Sequence, residues 1–263
     1  CVTMISGSLN YGQGHAATFA QIVTSYLGVP FERLQLPQGD SDELIAGAGT
    51  GGSRTVLTAG TLLMKASDAV IAKGKLAAAH LLEASALDIE FAQGRFSVAG
   101  TDRQIELMDL VARLRAEPAL PDDVPDDLSV ALADESPPSA FPNGCHVAEV
   151  EVDPETGVVE LVSYAVVDDF GTLINPMLVE GQVHGGIAQG LGQVLLERTV
   201  YDDEGQLLAG SYMDYAMPRA SDIPPMRFAS QPDPAKTNPL GAKGCGEAGT
   251  SGSMPAVMNA VLD

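Results

Sequence analysis

The sequence predicts an α+β fold of two subdomains, each with helices packed against small mixed sheets. Three observations predict it. In both halves, segments with apolar residues at helical spacing alternate with short pairs of strand-like segments. A stretch dense in proline and aspartate, residues 116–142, divides the halves. Hydrophobic residues make up 45% of the 263 positions, with 5% aromatics and 28 glycines, a mixture that suits close-packed helices and strands and not a disordered chain. The first subdomain is expected over residues 1–135 and the second over residues 136–263.

Residues 1–8 alternate weakly and predict a strand. Glycines 12 and 14 mark a turn. From His15 onward Phe19, Ile22, Val23, Tyr26 and Leu27 repeat at helical spacing, until Gly28 and Pro30 stop the helix. Residues 31–36 suit a short strand, and the small or polar residues 37–54 a loop able to follow a ligand. An Ala- and Leu-rich helix is expected from about Val56 to Ala86. A hairpin turning at Gln93-Gly94 follows, then a helix over residues 104–115. In the second half, residues 145–169 predict two strands joined by a turn at Asp153–Gly157. Ile174-Asn175-Pro176 leads into a helix over about residues 177–197. Strand-like pieces near 206–212 and 226–231 precede a last helix over residues 255–263.

Lys plus Arg is 14 against 35 Asp plus Glu, a formal charge of −21. Such a surface repels phosphate backbones and anionic bilayers, so neither nucleic acid nor a membrane is an expected partner. No apolar run reaches the ~20 residues of a spanning helix, and the opening CVTMISGSLN has no signal-peptide character. Cys1, Cys145 and Cys245 are too few and too scattered for a disulfide framework or a zinc cluster, so a reducing cytoplasm and no protein-ligated metal are expected.

Chemistry is expected in four glycine-rich segments: Gly12–His15, Gly47–Arg54, Gly181–Gly192 and Gly241–Gly252. Glycine at this density lets backbone N–H groups approach an anionic or bulky ligand, and segments next to helix starts add the positive end of the dipole. Helix–helix contact and turns are the alternative for each segment alone. Glu247 lies in the small-residue loop KGCGEAGTSG. A carboxylate there is expected to be partly buried, and burial would suit it to general-base work; capping the final helix or pairing with Lys243 are the alternatives. Arg54 suits an anion, and Gln13, Gln182 and Gln189 suit the edge of a heterocycle. His15 and His184 suit ligand donors or satisfied buried imidazoles, whereas His80 reads as structural and His146 as a strand residue with a core or surface role. Cys245 reads as a small buried residue.

The motifs GQGHAATFAQI, AGTGGSR, HVAEVEVDPETGVVE, INP with GQVHGGIAQGLG, and KGCGEAGTSGSMPAV occur in that order along nearly the whole chain. In order and spacing they resemble the xanthine dehydrogenase family of molybdenum hydroxylases, above all its bacterial branch with the carbon monoxide dehydrogenase large subunits. The resemblance is to the C-terminal, molybdopterin-binding portion of the large subunit, and it implies two α+β subdomains around a molybdopterin, in bacteria usually the cytosine dinucleotide. It assigns Gln13, Gly14 and His15 to the pterin; Thr50, Gly52, Ser53, Arg54 and Thr55 to the dinucleotide; and Gln189 to the vicinity of metal and pterin. Lys243, Gly244, Cys245 and Gly246 line the cofactor, and Glu247 is the base. The metal is held by the pterin dithiolene and not by side chains. The implied reaction is hydroxylation with oxygen from water, on carbon monoxide, an aldehyde or an N-heterocycle, with electrons leaving through iron–sulfur and FAD groups on partner chains. Ala16 stands where related sequences often carry Glu. The portion that forms the other wall of the substrate pocket lies outside this sequence, so the chain is expected to be a fragment or one piece of a split subunit, inactive alone. A carrier or assembly module for the cofactor, and a glycine-rich scaffold without ligand, are the competing functions.

Overall fold

The computed structural model describes residues 1–117 and 119–263; Pro118, in the predicted connector, lies outside them. The fold is α+β, in two compact units: Cys1–Thr50 with Thr58–Pro137, and Gly51–Leu57 with Pro138–Asp263. Residues 51–57 thus pack with the second unit although they fall early in the chain.

In the first unit, β1 (Val2–Thr3) pairs in parallel with β2 (Leu34–Gln35). The strand expected over residues 1–8 is this short because Gly7 leaves it: the Gly7 carbonyl accepts from Gly49 N, and a Cβ on Gly7 would lie 2.4 Å from the Ala46 carbonyl oxygen. Helix α1 (His15–Leu27) has the predicted apolar face and ends at Gly28, whose φ of 61° suits glycine and whose N–H returns to the Thr24 carbonyl. A π-turn (Val56–Gly60) leads into α2 (Thr61–Leu81). This helix stops before the expected Ala86 because Glu83 takes a left-handed φ of 50° and Ala84 N bonds back to the Ala79 carbonyl. Strands β3 (Ile89–Ala92), β4 (Arg95–Val98) and β5 (Gln104–Glu106) form an antiparallel sheet, with Gln93 and Gly94 both at positive φ in the predicted hairpin turn. Residues 104–106, expected to be helical, pair as an edge strand, and α3 (Leu107–Ala116) begins after them. The core is built by Phe19, Val23, Ala78, Ile89, Phe96 and Leu110, and the Phe96 ring fills the space a side chain at Gly74 would need. Burying a side chain of this size contributes about 1.5–3 kcal/mol. Leu128, from the connector, joins this core.

In the second unit, β6 (Asn143–Val152) and β7 (Val159–Asp169) form the long antiparallel hairpin, and β8 (Met226–Ser230) runs parallel to β7, giving a mixed sheet. Parallel pairing requires a crossover, which contains α4 (Pro176–Leu191) with its Asn175 cap bonded to Leu178 N. A π-turn (Gly192–Leu196) completes the expected helix. Near residues 206–212 an isolated bridge, Tyr201 to Leu207, stands in place of the expected strand. Helix α5 (Ala248–Leu262) begins seven residues before the expected start at Pro255. Tyr164, Val166, Val183, Ile187, Leu191 and Val257 form the core, so α4 and α5 cover one face of the sheet. Among the described residues no helix is long and apolar enough to cross a membrane.

Candidate functional site

A hollow of about 510 Å³ opens in the second unit, and every residue that lines it belongs to that unit. Its walls are Gly52–Arg54, the approach to β6 at residues 139–144, His146 and Asp168 on the sheet, and Gly244 with the start of α5 from Glu247 to Gly252. Three local features make this geometry. Gly52 and Ser53 both adopt left-handed backbone, φ 64° and 53°, which turns the chain sharply before the π-turn. The loop from Gly241 crosses that bend so closely that a Cβ on Gly244 would lie 2.1 Å from the Ser53 carbonyl oxygen. The same loop is held to the end of β7 by the Gly171–Ala242 bridge and by Lys243 N donating to the Phe170 carbonyl at 2.8 Å.

Glu247 sits at the N-terminal boundary of α5 and faces the hollow. It is exposed, not partly buried as the loop composition suggested, because the small residues around it open the wall instead of covering it. Neither alternative for Glu247 is realised. Its side chain makes no capping hydrogen bond to α5, and the Lys243 ammonium goes to Asp169. Ser53 Oγ donates to Glu247 Oε2 at 2.6 Å, joining residues 194 positions apart.

Beneath the hollow lies a group that the sequence did not single out. His146 Nδ1 is 2.7 Å from the Tyr164 hydroxyl, and His146 Nε2 is 3.4 Å from Asp168 Oδ1. Burial first, and the Asp168 charge second, push the Tyr164 phenol far up, so it keeps its proton. The His146 and Asp168 side chains are 8% and 3% exposed. Two glycines fit against them: a side chain at 144 would strike Asp168 Oδ1, and one at 252 would strike the His146 ring. Asp168 Oδ2 is buried and has no hydrogen-bond partner among the described residues. The available signal was a carboxylate pair, Asp168-Asp169, at the end of an apolar strand, where successive side chains point to opposite faces.

Asp169 anchors the loop. Its carboxylate receives the Lys243 ammonium, Gly171 N at 2.8 Å and Asp233 N at 2.9 Å. Burial works to raise its pKa, but the hydrogen bonds from Lys243, Asp233 and Gly171 outweigh it and hold the group at about 2. A depressed folded-state pKa gives stability that is present above the unfolded carboxylate value near ~4 and lost as pH falls through about 2. Asp169→Asn is therefore expected to flatten the loss of stability between those values. Urea midpoints at stepped pH, followed by circular dichroism, check this; equal acid slopes for variant and parent would contradict it.

The other expected site residues divide between the units. Lys243 is committed to Asp169, and Cys245 packs against the core of the second unit, where burial pushes its thiol up to about 11. Gly246 and Arg54 are exposed and Thr55 is buried. Gln189 lies outside the lining of the hollow, and its side-chain carbonyl accepts from Thr250 Oγ1 at 3.1 Å. The glycine-rich stretch 181–192 is mostly helix interior and not a helix start: Gly186 and Gly190 serve the contact with α5. In the first unit, Asn10 Oδ1 accepts from Gly12 N and Gly14 N, Gln13 Oε1 accepts from Tyr11 N, and Thr50 Oγ1 accepts from Leu9 N. His15 is buried, stacks on Phe19, and has its pKa lowered by burial, a hydrogen bond to the Leu9 backbone opposing.

A loop-built hollow on this α+β frame suits a cofactor, and the chain belongs to the molybdopterin cofactor-binding domain family, whose profile matches residues 1–224. Within it, the chain is similar to the carbon monoxide dehydrogenase large chain of Hydrogenophaga pseudoflava, 34% identical over 258 residues, 98% of this chain and 32% of that one. It is also similar to the nicotine 6-hydroxylase large subunit of Paenarthrobacter nicotinovorans, 36% identical over 264 residues, 100% of this chain and 32% of that one. Among solved structures, Cu,Mo-CO dehydrogenase in its carbon monoxide reduced state superposes with a TM-score of 0.87 at 33% identity, over 99% of this chain and 33% of that one. Quinoline 2-oxidoreductase from Pseudomonas putida 86 superposes with a TM-score of 0.86 at 35% identity, over 99% of this chain and 34% of that one. The resemblance read from the motifs is thus met in sequence and fold, and the chain spans about a third of the length of these relatives.

Proposed function

We propose that this chain is the cofactor-binding part of a molybdenum hydroxylase large subunit, that molybdopterin cytosine dinucleotide occupies the hollow, and that Glu247 is the base. The observation that carries this reading is the Ser53–Glu247 hydrogen bond, which sets one oriented carboxylate on the wall of a hollow large enough for such a ligand. The residues fit the group. The left-handed bend at Gly52–Ser53, with Arg54 beside it, suits phosphate oxygens, and the orphaned Asp168 oxygen suits an N–H donor. The family resemblance adds Gln13, Gly14, His15, Thr50, Thr55, Gln189 and Lys243–Gly246 as cofactor contacts, with residues 1–135 and 136–263 as the two subdomains.

When bound, the molybdenum cofactor supplies a two-electron oxidant for a reaction whose oxygen comes from water. The protein's own part is to hold Glu247 by the Ser53 hydroxyl with a carboxylate oxygen ready to accept a proton, and to keep the loop from Gly241 in place through Lys243 and Asp169. The substrate is an aldehyde, an N-heterocycle or carbon monoxide. Completion requires the remainder of the large subunit, an iron–sulfur subunit and an FAD subunit, in the cytoplasm. The test is composition: the complex purified with its partner subunits is expected to contain one molybdenum per chain and to release one cytidine monophosphate on acid hydrolysis. An assembled complex with neither refutes the reading.

A further inference from the structure

We infer that Asp168, set in place by His146, selects the ligand of the hollow by accepting a hydrogen bond from an exocyclic amine on an aminopyrimidine edge. The inference rests on the proposed occupancy of this hollow by a pterin nucleotide. Four observations lead to it. Asp168 lines the hollow, its side chain is 3% exposed, and its Oδ2 is orphaned. A buried carboxylate oxygen without a donor is costly, and the chain provides none for it among the described residues. The other oxygen faces His146 Nε2, and the far side of that ring is fixed by Tyr164, so the carboxylate cannot rotate freely to find a donor elsewhere. The two walls also differ in chemistry: the left-handed Gly52–Ser53 bend suits an anion, whereas a carboxylate repels phosphate and carbonyl oxygens but accepts from N–H. A ligand that satisfies both walls is anionic at one end and carries an N–H donor at the other. Cytosine and a 2-aminopterin both present such an amine.

Matched probes separate the two sources. Titration calorimetry on the 263-residue chain compares cytidine monophosphate with uridine monophosphate, and pterin with lumazine, which has a carbonyl where pterin has the amine. The amine-bearing member of at least one pair is expected to bind about 10-fold tighter, the worth of one hydrogen bond to a charged acceptor. Asp168→Asn is expected to bring that ratio to one or invert it, because an amide can donate to the carbonyl probe. His146→Gln is expected to reduce the ratio while inorganic phosphate binds as to the parent chain. The pair that shows the preference identifies the base or the pterin as the group that is read. Ratios near one for both pairs in the parent chain overturn the inference without any variant having to fold, while molybdenum and cytidine content of the assembled complex still decides the cofactor reading separately.

Discussion

Glu247→Gln is expected to lower turnover of the assembled, cofactor-loaded enzyme by about 10²–10⁴-fold while leaving its molybdenum content unchanged. The amide keeps the shape of the carboxylate, and its oxygen still accepts from Ser53 Oγ, so the loop and the start of α5 lose no contact that the structure shows. What the amide cannot do is take a proton. The effect is therefore placed on the chemical step, and the measurement is reduction of the electron acceptor under saturating substrate beside metal analysis of the same preparation. A loss of molybdenum in step with activity would make Glu247 a cofactor contact instead, and unchanged turnover would remove it from the reaction. Ser53→Ala is expected to act in the same direction and more weakly, since it frees the carboxylate to rotate but leaves its basicity available.

Residue order along the chain carried the family and the position of Glu247, because loops rich in glycine leave a local trace that does not depend on what packs around them. The α1 helix, its Gly28 stop and the two hairpins were legible for the same reason: period and turn chemistry are local. The membership of residues 51–57 in the second unit was not, because it is decided by contacts with residues almost two hundred positions away. His146 and Asp168 read as strand interior, since alternation gives the face of a side chain but not whether that face ends in core or in a hollow. The start of α5 was misplaced by propensity. Gly249 and Gly252 argue locally for a loop, yet the backbone there is helical because the same lack of side chains lets α5 meet α4 and the His146 ring at short range.

That close crossing makes Gly249 a position where a side chain forces α4 and α5 apart. A Cβ on Gly249 would lie 2.3 Å from the Val183 carbonyl oxygen and 2.8 Å from Ile187 N, and one on Gly186 would lie 2.9 Å from Thr250 N. These neighbours are backbone, so no rotamer change relieves the overlap and the two helices must separate, opening the core around Val183, Ile187 and Val257. Gly249→Val is expected to destabilise the second unit by about 1–3 kcal/mol, the cost of overpacking, offset only slightly by the better helix propensity of valine over glycine. Glu247 lies two residues before the crossing, so the same variant is expected to weaken the Ser53 contact and activity with it. Gly181, also in α4, has nothing near its missing Cβ. Gly181→Ala is therefore expected to be neutral or stabilising by up to about 1 kcal/mol, the ordinary gain from replacing glycine inside a helix. Urea unfolding of both variants and the parent decides the matter: if Gly249→Val shares the parent's midpoint, α4 and α5 do not meet backbone to backbone, and Glu247 is not held by that crossing.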